Sequence, residues 1–217
     1  MQIIGVSGLA GAGKDQVATY LVEDFGFVRM SLADPLKQIC RRVYAFTDEQ
    51  LWGPSQFRNG PDSRYPRPDG TFLSPREALQ TLGTEWGRSC YPDTWAQLCV
   101  RTAKELLTEP IARYDQKQGL YYLDELGGTT RGNTMTTKGV VIPDCRFKNE
   151  MAAIKAAGGK VVRVTRPGSG LSNERGLHPS ETEQASIPDE EFDHVIRNNG
   201  TLEDLRFMVK MLMPPIE

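Results

Sequence analysis

Cysteine and histidine are scarce in this chain. Its 217 residues include only four cysteines and two histidines, and no two cysteines form a C-x-x-C pair. This argues against a zinc site. The same scattering argues against a disulfide framework, so we expect reduced, buried thiols in a cytoplasmic protein. The residues concerned are Cys40, Cys90, Cys99, Cys145, His178 and His194.

Long apolar runs and an excess of positive charge are also missing. No run approaches the roughly 20 apolar residues that cross a bilayer, and the start at Met1 has no basic segment of the kind found in signal peptides. The formal net charge is −2. We therefore expect no nucleic-acid partner and no membrane partner. The hydrophobic content of 39% and the charged content of 25% fit one globular α/β domain with an insertion or lid.

The most informative stretch begins at residue 3. An apolar run over Ile3–Val6 is followed by glycines and then by an amphipathic pattern, which predicts a strand, a tight loop and a helix. The loop matches G-x-x-x-x-G-K from Gly8 to Lys14, the phosphate-binding pattern. Glycines let successive N–H groups point at one anion, the helix N-terminus attracts the same anion, and Lys14 adds a cation. The sequence therefore predicts a nucleoside triphosphate site.

One position departs from the usual pattern. Asp15 stands where Ser or Thr normally supplies a hydroxyl to Mg²⁺. A carboxylate can also hold Mg²⁺, so Asp15 is a candidate metal ligand. The alternative is that Asp15 only stabilises the positive end of the helix.

The first half of the chain predicts further helices and one strand. The first helix should end at Gly26, and Phe27–Ser31 should be a strand. Asp34 should then cap a helix whose apolar face is Leu36, Ile39, Cys40 and Val43, with Lys37, Arg41 and Arg42 on another part of its surface. Residues 47–72, rich in Gly, Pro and Asp, predict a long loop.

Two more helices should follow that loop. Ser74 and Glu77 form a capping box, and a later helix over about residues 93–107 carries Trp95. Residues 109–138 predict a hairpin or insertion. Gly139–Asp144 is the kind of apolar run that is buried in a parallel sheet. The run ends in the acid Asp144, and Arg146 follows it.

The last third of the chain alternates strands and helices. After Gly139–Asp144 we expect a helix that ends at Gly158, a strand over 160–165, a polar and flexible stretch over 166–180, and a strand over 192–196. Thr201 should cap a final helix with Leu202, Leu205, Met208, Val209 and Leu212 inward.

Among the classes of nucleotide-binding protein, the arginines and the lack of a guanine-binding motif favour a small kinase. No Asn-Lys-x-Asp element of guanine-selective switches is present. Several arginines lie at the ends of predicted elements, where cations can stabilise a transferring phosphoryl group. These are Arg76, Arg88, Arg146, Arg166 and Arg175.

Seven segments, spread over nearly the whole chain, resemble the bacteriophage deoxynucleoside monophosphate kinases. They are Ala12–Asp15, Leu32–Lys37, Gln80–Glu85, Trp95, Pro143–Glu150, Val164–Gly168 and Asn198–Glu203. An Asp after the loop lysine is normal in that family. The resemblance is weakest over 47–72 and 109–138, where we expect base selectivity to be set.

The resemblance implies a fold and an activity. The fold would be a P-loop NTPase three-layer α/β sandwich with a mostly parallel sheet. Its core would be 1–46, 139–165 and 192–217, its helical monophosphate-binding region 47–138 and its lid 166–185. The activity would be transfer of phosphate from ATP, with Mg²⁺, to deoxynucleoside monophosphates in the cytoplasm, of the infected host cell if the chain is of phage origin. Whether the chain forms a homodimer is left undecided by the sequence.

The resemblance also implies roles for individual residues. Catalysis would fall to Lys14, Asp144, Arg146 and Arg166. ATP and Mg²⁺ would be held by Gly11, Gly13, Lys14, Asp15 and Gln16, with Asp15 on the metal. The monophosphate would contact Lys37, Arg76, Thr84, Trp95, Asp144, Arg146, Asn149 and Glu150. Arg175 would be a second lid arginine.

Plainer interpretations remain open beside these. Trp95 fits a helix core equally well, Asp144 and Arg146 fit a structural ion pair, and Arg175 and His178 fit a solvated loop. The alternative functions are another small-molecule kinase of this fold, such as a phosphomevalonate or dephospho-coenzyme A kinase, and a non-catalytic nucleotide-binding regulator.

Overall fold

The computed structural model describes residues 2–123, 137–170 and 179–213. A five-stranded sheet lies at its centre, and every pairing within this sheet is parallel. Its strands are β1 (Gln2–Ser7), β2 (Phe27–Arg29), β5 (Gly139–Pro143), β6 (Lys160–Thr165) and β7 (His194–Arg197), in the spatial order β2-β5-β1-β6-β7. A separate antiparallel hairpin is formed by β3 (Ala112–Asp115) and β4 (Gly119–Tyr122).

Side chains of the strands alternate between two cores. Ile3 and Val140 belong to one apolar cluster, whereas Ile4 and Val141 belong to the other, because successive side chains on a strand point to opposite faces. Helices α6 (Thr94–Thr108) and α7 (Lys148–Ala156) cover the first face, and α1 (Lys14–Phe25) and α9 (Leu202–Leu212) cover the second. The predicted three-layer α/β fold is confirmed.

Helix ends follow the predicted signals in three places. Gly26 ends α1 with φ 68°, a left-handed conformation that favours glycine. Ser74 accepts a hydrogen bond from the backbone N–H of Glu77 and opens α5 (Pro75–Gln80). Thr201 caps α9 in the same way, with Asp204 as its partner. The caps at Ser74 and Thr201 satisfy N–H groups that would otherwise lack a partner, and the N–H of Gly26 satisfies carbonyl groups at the end of α1.

A helical insertion with its own small core follows β2. It comprises α2 (Asp34–Tyr44), α3 (Asp48–Trp52), α4 (Ser55–Asn59), α5 and a π-helical segment (Thr81–Arg88). Phe46 and Leu51 are fully buried in this core, beside Cys40 and Ala78. The prediction of a plain loop over 47–72 was wrong, because Thr47 and Gln50 form a capping box that starts α3.

Several local predictions also needed correction. The cap of α2 is Ala33, and Asp34 lies inside the helix, where its carboxylate accepts the N–H of Ser31. Ile39 and Val43 are exposed, because α2 buries only Leu36 and Cys40 of the four apolar residues. On α9, Leu202 is exposed too, since Leu205 and Val209 are the residues that it buries.

The remaining differences concern strand and loop bounds. The last strand begins at His194, because a short 3₁₀ turn over Asp189–Glu191 precedes it. The predicted polar stretch ends in a helix, α8 (Pro179–Ser186). The predicted hairpin is confirmed in β3 and β4, whereas residues 124–136 lie outside the described part of the chain. No helix among the described residues is long and apolar enough to span a membrane.

Candidate active site

The loop after β1 has the backbone of an anion cradle. Gly8, Gly11 and Gly13 have φ angles of 145°, 80° and 106°, which side chains rarely allow. A Cβ on Gly8 would lie 2.2 Å from the backbone oxygen of Val164 on β6. The clash with Val164 makes glycine necessary at position 8, and the positive φ angles favour glycine at 11 and 13. α1 begins directly after this loop.

Two side chains that the sequence did not single out hold this loop in place. Asn198, after β7, donates from Nδ2 to the backbone oxygen of Ala12 at 2.9 Å. Gln184 on α8 donates to Oγ of Ser7 and to the backbone oxygen of Cys145, both at 3.1 Å. Asn198 lies in a segment that carried the family resemblance, but nothing in the sequence pointed to Gln184.

Lys14 is directed from the loop toward the end of β5. It is 8% exposed, and its Nζ donates to the backbone oxygen of Leu9 at 3.0 Å. Nζ also lies 3.4 Å from Oδ1 of Asp144. The parallel pairing of β1 with β5 brings these two strand ends together, as expected for open α/β folds.

Asp144 links Lys14 to Arg146. Its Oδ2 accepts from Nε and Nη2 of Arg146 at 2.9 and 2.8 Å. Burial raises the pKa of Asp144, but the charges of Arg146 and Lys14 outweigh it and hold that pKa below its usual value. The ion pair is thus confirmed, and contact of either residue with a substrate stays a prediction.

Asp15 lies on the outer side of the loop. Its side chain is 83% exposed and forms an ion pair with Arg29 at the end of β2. The described residues contain no group of three or more His, Cys, Asp or Glu side chains that could hold a metal ion. One exposed carboxylate beside a phosphate cradle fits Mg²⁺, which is commonly held by one or two carboxylates together with phosphates.

Glu150 and Asn149 brace the segment that carries Arg146. Glu150 is buried, and its Oε2 accepts the backbone N–H of Arg146 at 2.7 Å and of Phe147 at 3.1 Å. Burial raises the pKa of Glu150 to about 7. Asn149 donates to Oδ1 of Asp93 at 2.7 Å. The structure therefore shows both side chains in contacts within the protein, and their contact with an acceptor stays a prediction.

Arg88 joins the insertion to the same segment. Its guanidinium lies 3.7 Å from the ring centroid of Phe147 and donates to Oδ1 of Asn149 at 3.3 Å. Its Nη1 lies 3.8 Å from Oε1 of Glu150. The π-helical segment is thereby fixed against the start of α7.

The other predicted acceptor residues lie on α2, α5 and the π-helical segment of the insertion, and on α6. Lys37 on α2 lies 5.6 Å from the centroid of the Trp52 ring, and Arg76 on α5 donates to Asn59. Thr84 is half-buried in the π-helical segment. Trp95 donates from Nε1 to the backbone oxygen of Gly83 at 2.8 Å, so its indole has at least a structural role.

The predicted lid begins beside the phosphate loop. Arg166 is exposed just after β6, and the N–H of Gly170 donates to the backbone oxygen of Ala10 at 2.9 Å. This contact holds the base of the lid next to the loop. Arg175 and His178 lie outside the described residues.

The fold and this site define a class of protein. A glycine cradle and a lysine follow the central strand of a parallel sheet, and an acid and an arginine follow its neighbour. These are the parts of a P-loop nucleotide kinase.

Comparisons with known proteins give the family. Residues 121–209 match the deoxynucleotide monophosphate kinase family. A protein of Acanthamoeba polyphaga mimivirus, named "Putative deoxynucleotide monophosphate kinase", is 33% identical over 204 residues, which cover 94% of this chain and 92% of that protein. The deoxynucleotide monophosphate kinase of Enterobacteria phage T4 is 24% identical and covers 97% of this chain and 98% of its own. The chain belongs to the deoxynucleotide monophosphate kinase family.

Solved structures give a weaker similarity. A shikimate kinase from Aquifex aeolicus superposes with a TM-score of 0.48 at 10% identity, over 97% of this chain and 95% of that one. A dephospho-CoA kinase from Campylobacter jejuni superposes with a TM-score of 0.46 at 14% identity, over 98% and 96%. Similarities of this size carry no inference about function.

Proposed function

We propose that this chain transfers the γ-phosphoryl group of ATP to deoxynucleoside 5′-monophosphates, which yields the diphosphates and ADP. The observation that carries the proposal is the arrangement of three charged side chains at the sheet edge. The carboxylate of Asp144 lies between Lys14 of the loop and Arg146. The names of the mimivirus and phage T4 relatives support a deoxynucleotide acceptor. The reaction would supply DNA precursors in the cytoplasm, which is that of an infected host cell if the chain is of phage origin.

The donor nucleotide would bind at the loop. The backbone N–H groups around Gly11 and Gly13, with Gln16 at the start of α1, would surround the phosphates of ATP. Lys14 would exchange its contact with Leu9 for the β- and γ-phosphate oxygens, where charge develops during transfer.

Mg²⁺ would be held by Asp15 together with the phosphates. The bound ion would supply positive charge that neutralises the phosphate oxygens. Arg29 forms an ion pair with the carboxylate of Asp15. On Mg²⁺ binding, this ion pair would break, or the carboxylate would contact both Arg29 and the metal.

The acceptor would bind between the insertion and the segment after β5. Lys37, Arg76 and Arg146 would hold its phosphate, and Thr84, Trp95, Asn149 and Glu150 would line the remaining pocket. Asp144 would stay ionised and keep Lys14 and Arg146 at a fixed spacing, because its pKa lies below the usual value. A phosphate oxygen needs little help from a base as nucleophile, and Arg166 would approach from the lid.

A panel of acceptors tests the proposal. The protein would be incubated with ATP, Mg²⁺ and each natural or modified deoxynucleoside monophosphate, and diphosphate formation measured. We expect turnover of at least one of them. Silence on all of them, with turnover of phosphomevalonate or dephospho-coenzyme A, would assign a different kinase. ATP binding without any product would indicate a nucleotide-binding regulator.

A further inference from the structure

Arg58 lies on α4, within residues 47–72, where the sequence predicts that base selectivity is set. Its Nη2 donates to the backbone oxygen of Gly53 at 3.1 Å. Its Nε is buried and has no hydrogen-bond partner in the described part of the chain. A buried donor without a partner is costly in a folded protein, and more so when it carries charge. The guanidinium is therefore held in place through Nη2, whereas its Nε still lacks an acceptor among the described residues.

Other cations converge on the same place. Burial lowers the pKa of Lys37; the carboxylate of Asp34 opposes this effect, and the nearby charges of Arg58 and Arg29 add to it. Trp52, against which Lys37 lies, directly precedes Gly53, the residue that Arg58 contacts. Helices α2 and α4 thus present two partly buried positive charges to each other.

A third cation, Arg76, contacts the residue next to Arg58. Asn59, which follows Arg58, accepts a hydrogen bond from Arg76 on α5. Like charges at one place in a protein repel each other and lose hydration. An anion placed among them would remove both costs.

The nearby carboxylates already have partners. Asp34 accepts from the N–H of Ser31 at 2.8 Å and from the hydroxyl of Tyr114 at 3.0 Å, and it faces the indole N–H of Trp52 at 3.4 Å. Asp144 is shared by Lys14 and Arg146. Within the described residues, then, neither of these carboxylates is free to accept from Nε of Arg58, whereas an anionic ligand would satisfy it.

We propose that Arg58 binds the phosphate of the acceptor monophosphate, together with Lys37. This inference rests on the function proposed above. An arginine offers a planar set of donors that fits phosphate oxygens, and its contact with Gly53 holds that plane in place before the ligand arrives. Arg58 would then contribute to binding the phosphate, which all monophosphate acceptors share, from within a segment expected to select the base.

The test compares ligands with and without the phosphate. Wild type, Arg58→Ala and Arg58→Lys are measured for the KM of acceptor and ATP, and for affinity toward a deoxynucleoside monophosphate, its deoxynucleoside and inorganic phosphate. Arg42→Ala, an exposed position on α2, is the matched control. We expect Arg58→Ala to weaken the monophosphate about 10- to 100-fold, as for loss of a charged hydrogen bond. The ATP KM, the deoxynucleoside affinity and the control should stay unchanged, and Arg58→Lys should recover part of the loss.

Each other result overturns the inference. Equal weakening of monophosphate and deoxynucleoside would show that Arg58 acts only by shaping the turn at Gly53. An unchanged monophosphate affinity would remove Arg58 from the site, and weakening of inorganic phosphate alone would assign a separate anion site. Failure of the wild type to use any monophosphate is seen before a variant is made, and it would overturn the proposed function along with this inference.

Discussion

Nζ of Lys14 lies 3.4 Å from Oδ1 of Asp144. The two residues follow adjacent parallel strands, and Asp144 has a positive φ of 68°, which is uncommon for a residue other than glycine. Strained backbone of this kind persists where the surroundings hold it. The end of β5 therefore sets the carboxylate between two cations.

Replacement of Lys14 tests the donor site. We expect Lys14→Ala to keep the fold and to lower kcat by about 100-fold or more, since a cation on the transferring group acts mostly in the transition state. The measurement is steady-state kinetics with saturating ATP and acceptor, beside a circular dichroism spectrum. A folded variant with near-normal kcat would remove the phosphate-loop assignment.

Replacement of Arg146 separates the acceptor from the donor. Arg146→Ala should raise the acceptor KM or lower kcat while ATP binding, measured by calorimetry, stays near the wild-type value. The reason is that Arg146 lies beyond Asp144 as seen from Lys14. If kcat and both KM values are unaffected, Arg146 serves only as the ion-pair partner of Asp144.

The two roles open to Asp15 differ in their dependence on Mg²⁺. If Asp15 holds the metal, Asp15→Asn should raise the Mg²⁺ concentration for half-maximal rate, and Asp15→Ser should do so less, because a hydroxyl serves in most such loops. Arg29→Gln, which frees the carboxylate, should lower that concentration. A Mg²⁺ titration with parallel melting curves decides. An unchanged midpoint with a lower melting temperature for Asp15→Asn would leave only stabilisation of the helix N-terminus.

Glu150 should give stability a pH dependence of its own. Burial raises its pKa from 4.5 to about 7, so between these values the folded state binds more protons than the unfolded state, and stability falls as pH rises. Glu150→Gln removes this slope. We expect the melting temperature of the variant, relative to wild type, to rise between pH 5 and about 7.5. A constant difference over that range would show that Glu150 is ionised throughout.

Trp95 can be tested without removing its ring system entirely. Trp95→Phe deletes the hydrogen bond to Gly83 and leaves an aromatic side chain beside Gly87. A lost hydrogen bond of this kind contributes about 0.5–1.5 kcal/mol, so the free energy of unfolding should fall by a similar amount. A change in the acceptor KM measured on the same variant would add the predicted substrate contact to this structural role.

Local patterns accounted for much of the fold and for the core of the site. The glycine loop with Lys14, the acid at the end of β5 and the caps at Ser74 and Thr201 depend on near neighbours in sequence, so they were predictable. Burial of α2 was not, because whether Ile39 or Val43 finds a partner depends on distant parts of the chain. Residues 47–72 misled for a similar reason, since short helices there are held by a small tertiary core.

The supports of the site were beyond sequence reasoning. Gln184 reaches Ser7 across 177 positions, and Arg88 reaches Asn149 across 61. Nothing in the local pattern around any of these residues reveals such a partner. The same holds for Arg58, whose Nε has no hydrogen-bond partner among the described residues.

The bond from Asn198 to Ala12 spans 186 positions and ties the first loop of the chain to one of its last strands. During synthesis the loop leaves the ribosome early, but its brace is added only when the chain is almost complete. The nucleotide site should therefore mature late, after β7 has joined the sheet, as expected for contacts of long sequence separation. A nascent chain that stops before Asn198 would carry the whole phosphate-binding motif and still lack the support that shapes it.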